Sequence, residues 1–186
     1  MAGVLSQLAL SCRRAADLPA LGSVGRFNLT DQSGRPVSES TLRGQVWAAA
    51  FFFTRCPTVC PRITRRMRAL QQAAVTGGVK LQLVSFSVDP DNDTPEVLAA
   101  YAKQYGADLA TWRFLPGDLE VVRKTSEQGF KLALDGKATA GAEHFGLFHG
   151  SHLVLVDGTG QIRGYYRTSE DAQMAQLLKD AASLLP

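Results

Sequence analysis

An apolar run that ends at two cysteines constrains the fold of this chain more than any other feature. Eight apolar residues, Val46 to Phe53, follow Gly44 and lead into Thr54-Arg55-Cys56-Pro57-Thr58-Val59-Cys60-Pro61. A run of this length between turn signals predicts a central strand that is buried on both faces. A helical apolar pattern comes next, then Gly77-Gly78, then the strand-like stretch Val79 to Val88. This order predicts a βαβ unit with a right-handed crossover and with the cysteines at its first connection.

The remaining elements are predicted on either side of this unit. Turn signals at Asp31–Gly34 and Asp157–Gly160 predict one hairpin before the unit and one after it. Thr94 resembles the N-cap of a second helix, and Ser169 that of the last helix. Further predictions are a first helix that opens at Pro61, strands at Trp112–Leu115 and Phe130–Leu134, and a helix from Asp118 to about Gln128. The sequence therefore predicts an α/β chain with a thioredoxin-like fold, in which a central mixed sheet is flanked by helices and preceded by an N-terminal β-hairpin.

Composition and charge set the broad class. The 186 residues are 45% hydrophobic and 20% charged, which suits one globular domain. We expect an N-terminal arm or linker at residues 1–25 and a single domain at residues 26–186. A net charge of +3 is too small to favour a nucleic-acid surface. No apolar run approaches the roughly 18 to 20 residues that span a bilayer, so we expect a soluble domain whose export signal or anchor is absent, atypical or removed.

Three interpretations compete for the close pair Cys56 and Cys60. With Cys12, the chain has three cysteines, too few for a framework of several disulfides. The pair could be two buried small hydrophobes, although a proline after each cysteine is unusual for that role. It could be a redox dithiol, because a turn or first helical turn can bring two such residues within disulfide range. It could also be a sulfur-rich half-site for copper or zinc, which would need a further ligand.

The histidines offer that further ligand. All three, His144, His149 and His152, lie within nine residues of each other, in or beside a Gly- and Ala-rich segment. Two thiolates and one imidazole can hold Cu(I) and, with an axial oxygen or water, Cu(II), whereas a structural zinc normally takes four protein ligands. Copper is therefore favoured. His149, just ahead of a predicted strand, is the preferred ligand, and His152 is the second choice.

An acidic stretch follows the second strand of the βαβ unit. Asp91 and Asp93 are explained adequately as turn residues and a helix cap. Asp89 comes directly after Val88, at the carboxyl edge where α/β sheets place their sites. We expect Asp89 to reach the cysteine loop, which we define as residues 54–60, and to tune the site. The arginines of the first helix form either a solvated face or a docking patch for an acidic partner.

Four stretches of the chain resemble the Sco/SenC family of copper-binding proteins, and the likeness covers most of the chain. The C-P-x-x-C-P core with S-V-D-P-x-x-D-T-P behind it is highly specific at this separation. The stretches that carry the resemblance are Phe27–Val37, Phe53–Pro61, Ser87–Pro95 and His149–Asp157.

The resemblance implies a thioredoxin-like fold and copper bound through Cys56, Cys60 and His149, with Asp89 as the aspartate near the site. It implies a carrier rather than an enzyme, one that delivers copper to the dinuclear copper centre of cytochrome c oxidase during assembly. The implied partners are the copper-bearing subunit of that oxidase and another copper chaperone. The implied location is extracytoplasmic, in or facing the periplasm or in the mitochondrial intermembrane space.

An alternative function uses the same cysteines. Some members of the family resemble thiol-disulfide reductants for the cysteines of the oxidase copper centre, or redox signalling proteins. A Cys56–Cys60 disulfide could not present two thiolates to copper, so the oxidation state would control metal binding.

Overall fold

The structure is a computed structural model that describes residues 18–132 and 151–185. Its strands are β1 (Asn28–Thr30), β2 (Pro36–Ser38), β3 (Val46–Phe52), β4 (Leu81–Ser87), β5 (Trp112–Leu115), β6 (His152–Val156) and β7 (Ile162–Arg167). Its helices are α1 (Val59–Thr76), α2 (Pro95–Gln104), α3 (Leu119–Lys124), which continues into a π-helical turn at Thr125–Gly129, and α4 (Asp171–Ser183). No helix in these two ranges has the length and apolar content needed to cross a membrane.

The apolar run that ends at the cysteines forms the middle of the main sheet. Within the described residues this sheet has the strand order β5-β4-β3-β6-β7. β3 pairs in parallel with β4, across α1, and antiparallel with β6. Every residue of β3 is buried, because helices or loops cover both faces of a central strand. The predicted central strand, the βαβ unit and the mixed sheet are confirmed.

Aromatic side chains fill the core on both faces of the sheet. On one face, Phe51 stacks on Phe86 with 5.0 Å between ring centroids, and Phe130 packs edge-on against Phe51 at 5.3 Å. On the other face, Phe52 packs against Phe114 at 5.9 Å. Alternate residues of β3 therefore bury their rings on opposite faces, as the period of two in a strand requires. The strand that carries the cysteine loop is held firmly from both sides.

Helix starts agree with the predictions at α2 and differ at α1 and α4. Thr94 is the N-cap of α2, and its side chain accepts a hydrogen bond from the backbone N–H of Val97. The prediction that Pro61 opens α1 is wrong, since α1 begins at Val59. Proline is tolerated at the third helical position as well, because the first four N–H groups of a helix have no partner within the helix. The N-cap of α4 is Glu170 rather than Ser169.

The hairpin of β1 and β2 lies outside the main sheet and is confirmed as predicted. Residues 21–24, from the end of the predicted arm, run beside β7. Leu21 N–H donates to Ile162 O at 2.9 Å, and Val24 is 2% exposed. This part of the arm is therefore packed on the domain. The division at residue 25 stays a prediction, because residues 1–17 lie outside the described ranges.

The predicted strand at Phe130–Leu134 is wrong for the residues that the structure describes. Phe130 follows the π-helical turn, and neither it nor Lys131 and Leu132 belongs to a strand. Phe130 is nevertheless fully buried among the aromatic rings. The apolar residue that suggested a strand therefore serves the core from a turn.

Asp157 fixes the turn between β6 and β7, and its loss is expected to destabilise the protein. Its carboxylate accepts hydrogen bonds from Thr159 N–H at 2.8 Å and Arg163 Nε at 2.6 Å. Burial raises the pKa of Asp157, but these and neighbouring hydrogen bonds outweigh it, so the pKa lies below its ordinary value. The resulting stabilisation is complete above the unfolded pKa of about 3.9 and is lost as the pH falls below it.

Asp157→Ala should therefore lower the free energy of unfolding at pH 7 by about 1 to 3 kcal/mol. The variant and the wild type should converge in acid, and urea denaturation across pH measures both effects. Asp171→Ala is the matched control, because Asp171 is 84% exposed and its pair with Arg66 should contribute less than about 1 kcal/mol. Equal losses for the two variants would contradict this account of the turn.

Candidate dithiol site

Two neighbouring parallel strands end at the same edge of the sheet and bring the predicted site residues together. The cysteine loop follows β3, and the acidic stretch that starts at Asp89 follows β4. The strands stay in register to their ends, where Phe52 pairs with Ser87 and Val88 N–H donates to Phe52 O at 3.0 Å. Loops that follow adjacent parallel strands therefore meet here, at the edge where α/β folds place their sites.

Both cysteines of the site are free, and Cys60 contacts the sulfur of Cys56. Cys56 lies before α1 and is 8% exposed, whereas Cys60 lies in the first turn of α1 and is 1% exposed. The backbone N–H of Cys60 donates to the sulfur of Cys56 at 3.4 Å. Cys56 Sγ thus accepts from the open N-terminus of a helix, where negative charge is favoured.

The surroundings shift the pKa values of the two thiols in opposite directions. Burial raises the pKa of Cys56, but hydrogen bonds from N–H groups at the start of α1 and from the Cys60 thiol outweigh it, so the pKa lies below its ordinary value. Burial raises the pKa of Cys60 strongly. A hydrogen bond from the backbone N–H of Phe53 lowers this pKa, but the hydrogen bond to Cys56 and the negative charges of Cys56 and Asp93 raise it further. Cys56 is therefore the thiol that ionises first, and Cys60 is the protonated donor beside it.

This difference predicts unequal reactivity towards iodoacetamide at neutral pH. Cys56 should be alkylated more than about tenfold faster than Cys60, because the thiolate is the reacting species and Cys60 is more deeply buried. Peptide mapping by mass spectrometry separates the two rates and also separates them from Cys12. Cys56 should still be alkylated in Cys60→Ser, whereas faster labelling of Cys60 than of Cys56 in the wild type would overturn the assignment.

Asp89 contacts the cysteine loop at Arg55 and not at a cysteine. Arg55, the residue before Cys56, places its Nε and Nη2 each 3.0 Å from Oδ2 of Asp89. The Nδ2 of Asn92 donates to Oδ1 of Asp89 at 2.8 Å. Asp89 is 4% exposed, so this ion pair is anchored in the interior while the arginine extends to the surface. Tuning of the dithiol by Asp89 stays a prediction.

Asp93, explained from the sequence as a turn or cap residue, is the residue that sequence reasoning missed. It is fully buried, and its carboxylate accepts from the N–H of Thr54 at 3.2 Å, from the Thr54 hydroxyl, and from Ser87 Oγ at 2.5 Å. Burial raises the pKa of Asp93, against the effect of these hydrogen bonds. The sequence signal for Asp93 was its place in the acidic stretch that follows the strand beside the cysteine strand, a place that it shares with Asp91.

Of the predicted histidine ligands, only His152 lies in the described part of the chain. It opens β6, which runs antiparallel to β3, so it lies towards the end of β3 that carries the cysteine loop. It pairs across β6 and β7 with Arg167. Burial lowers the pKa of His152, and the charge of Arg167 lowers it further. His149, His144 and Cys12 lie outside the described residues.

Within residues 18–132 and 151–185, no three His, Cys, Asp or Glu side chains gather closely enough to hold a metal ion. The structure therefore brings Cys56 and Cys60 together but does not add His152 to them. The assignment of His149 as the third ligand stays a prediction.

The arginines of α1 divide into two groups. Arg66 pairs with Asp171, and Arg68 donates to Gln71 at 3.2 Å. Arg62 and Arg65 are exposed and form no ion pair with any residue that the structure describes. Exposure to solvent is enough to explain the positions of Arg62 and Arg65, and no bound partner is needed.

The family match agrees with this arrangement. The model of the SCO1/SenC family matches residues 16–185, which includes both strands and both loops of the site. The chain belongs to the SCO1/SenC family. The resemblance predicted from the cysteine and aspartate motifs is confirmed.

Solved structures of Sco proteins share this fold. A SCO1/SenC family lipoprotein from Bacillus anthracis str. Ames is 34% identical to the chain, with a TM-score of 0.78, and the match covers 88% of this chain and 95% of the other. BsSco, a member of the Sco family of cytochrome c oxidase assembly proteins in which a disulfide switch has been identified, is 31% identical, with a TM-score of 0.78 and coverage of 91% of this chain and 98% of the other. ScoI of Bradyrhizobium japonicum, solved with copper bound, is 26% identical, with a TM-score of 0.62 and coverage of 83% and 97%.

In this SCO1/SenC protein, the dithiol can act in two ways. The Cys56 thiolate can attack a substrate disulfide to give a mixed disulfide, and Cys60 can then displace the second substrate thiol, so that the substrate is reduced as the Cys56–Cys60 disulfide forms. Alternatively, the two sulfurs can bind a soft metal ion together after Cys60 loses its proton. Both actions use the same two atoms and therefore exclude each other at any moment.

Proposed function

We propose that this protein is a copper metallochaperone that binds copper through Cys56, Cys60 and His149 and delivers it to the copper centre of cytochrome c oxidase during assembly. The observation that carries the proposal is the pair of free cysteines at the edge of the sheet where the chain enters α1, with the backbone N–H of Cys60 donating to the sulfur of Cys56. Copper is the cargo of this site rather than a resident cofactor.

The sulfur atoms of the pair suit copper for a chemical reason. Thiolates are soft ligands, and soft ligands favour Cu(I) over the hard divalent cations that prefer oxygen. Cys56 is the more acidic thiol, so it offers a thiolate more readily than Cys60 does. Cys60 must lose its proton when the metal binds, so copper uptake should release protons.

A third ligand from the segment before β6 completes the proposed site. Two thiolates alone leave copper exposed to competing ligands. A third, weaker ligand would help to hold the copper and could still be displaced when the copper is transferred. Ser151 is the first described residue of this segment, and its carbonyl accepts from the N–H of Thr168 at 2.8 Å. His152 follows it at the cysteine end of β3. His149 comes only two residues before Ser151, which supports its assignment as the ligand.

The relatives support the cargo and the destination. ScoI of Bradyrhizobium japonicum has been solved with copper bound, and BsSco is a member of a family of cytochrome c oxidase assembly proteins. By the same relation we propose the copper-bearing oxidase subunit as acceptor and another copper chaperone as donor. The lipoprotein relative supports an extracytoplasmic location, in the periplasm or facing it from the inner membrane, or in the mitochondrial intermembrane space of a eukaryote.

A second function, thiol-disulfide exchange with the cysteines of the oxidase copper centre, is favoured by the unequal thiols. A low-pKa sulfur backed by a buried partner thiol is the arrangement used to attack and then resolve a disulfide. The disulfide switch named for BsSco supports this candidate as well.

A transfer experiment separates the two functions. Reduced protein loaded with one equivalent of copper is mixed with the soluble copper-bearing domain of cytochrome c oxidase, and copper is measured in each protein after separation. We expect copper to move to the reduced acceptor domain from the reduced donor, and protein oxidised to the Cys56–Cys60 disulfide to carry none. If metal-free protein instead reduces a disulfide in the acceptor and no copper moves, the second function is correct.

A further inference from the structure

The two residues ahead of Cys56 are tied to the end of β4 by a closed ring of contacts. The Arg55 guanidinium pairs with Asp89, whose backbone N–H donates to Ser87 Oγ at 3.1 Å. The Ser87 hydroxyl donates to Asp93 at 2.5 Å. Asp93 in turn accepts from both the N–H and the hydroxyl of Thr54. The peptide bond from Thr54 to Arg55 closes the ring.

Asp93 is the buried centre of this ring. It is 0% exposed, and among the described residues it has no basic partner within ion-pair distance. Burying a carboxyl group is costly unless hydrogen bonds satisfy it, and all three of its donor groups come from Thr54 and Ser87. The Asp93 side chain therefore joins the last residue of β4 to the start of the cysteine loop.

The connection between β4 and α2 does not need this side chain. Thr94, not Asp93, caps α2. The turn itself is closed by backbone hydrogen bonds, since the N–H groups of Asn92 and Asp93 donate to Asp89 O at 3.1 and 2.8 Å. The Asp93 carboxylate is left to act on the neighbouring loop.

We propose that Asp93 is a positioning residue of the dithiol site. It holds the backbone and hydroxyl of Thr54, so that the chain leaves β3 in one direction and places Cys56 against the start of α1. The Arg55–Asp89 side of the ring is looser, because the Arg55 side chain is 54% exposed. The Thr54–Asp93 side is the rigid one. The inference is tested by two measurements. The rate of copper removal rests on the proposed copper site, whereas amide hydrogen exchange in the metal-free protein does not.

The copper readout is the rate at which a strong chelator removes copper from the reduced protein. Asp93→Ala should raise this rate by roughly 10- to 100-fold, the loss typical of a residue that orients a metal ligand. Thr54→Val, which removes only the hydroxyl, should raise the rate less. The double variant should be no worse than Asp93→Ala alone, because both residues act through one contact.

The metal-free readout is amide hydrogen exchange in the reduced protein. In Asp93→Ala and Thr54→Val, exchange should accelerate in residues 54–60 while β3 and β6 keep their protection. Asp91→Ala is the matched control, because it removes the same charge from an exposed position in the same turn. It should change neither readout.

The outcomes separate the two claims. Unchanged exchange at residues 54–60 in both variants would overturn the positioning role, and so would faster exchange throughout the sheet in Asp93→Ala with no local effect of Thr54→Val. If Asp93→Ala does not fold, Thr54→Val and Ser87→Ala decide the question by the same readouts. If wild-type protein holds no copper, the proposed function fails while hydrogen exchange still tests the positioning of the loop.

Discussion

Replacing either Cys56 or Cys60 with alanine is expected to abolish tight copper binding by the reduced protein. Each sulfur supplies half of the soft ligand set, and the remaining thiolate with one imidazole is a much weaker site for Cu(I). The loss should exceed the roughly 10- to 100-fold change typical of residues that only orient a ligand. Competition with a Cu(I) chelator of known affinity measures the change.

Cys12→Ala is the control, because the proposed site leaves this third cysteine out. It should bind copper as the wild type does. Circular dichroism before titration checks that the variants are folded, which matters most for Cys60, since it is 1% exposed and packs in the core. A double variant without Cys56 and Cys60 that kept its copper affinity would rule out the dithiol as the metal site.

Replacing His149 with alanine is expected to weaken Cu(II) binding far more than replacing His152. Imidazole nitrogen is a better ligand for Cu(II) than for Cu(I), so the loss should be larger for the oxidised metal. His152 lies across from Arg167 and does not gather with the two cysteines in the described structure. We expect a loss of at least about tenfold for His149→Ala and less than about twofold for His152→Ala.

The charge-transfer absorption and the nitrogen hyperfine pattern of bound Cu(II) provide the measurement for both histidine variants. His144→Ala is a further control with an unchanged spectrum expected. The reverse order, in which His152→Ala removes the nitrogen signal and His149→Ala does not, would move the ligand to the start of β6.

The fold was largely predictable because its strongest signals are local. The apolar run at Val46–Phe52 has the composition and bounds of a strand buried on both faces, and it occupies the centre of the sheet. Thr94-Pro95 is a local helix start and caps α2 as predicted. The prediction failed at Phe130, where a buried ring enters the core from a turn. Only the surrounding rings, at Trp47, Phe51 and Phe86, explain that burial.

The approach of the two cysteines was predictable from the sequence, whereas the residues that support their loop were less so. Cys56 and Cys60 are close in sequence, so a turn is enough to bring them together. Asp93 and Thr54 are 39 residues apart, and their contact depends on the register of β3 against β4. No local pattern distinguishes Asp93, which is fully buried, from Asp91, which is exposed. Tertiary pairing alone decides which acid supports the loop.

The most direct test of the central claim is a titration of the reduced protein with Cu(I) and with Cu(II), followed by X-ray absorption spectroscopy at the copper edge. The proposed site predicts one copper per chain, with two sulfur neighbours in both oxidation states and a nitrogen neighbour from His149. Prior oxidation of the protein should abolish uptake, because a disulfide offers no thiolate. Copper bound without sulfur neighbours, or bound equally well by the oxidised protein, would contradict the account.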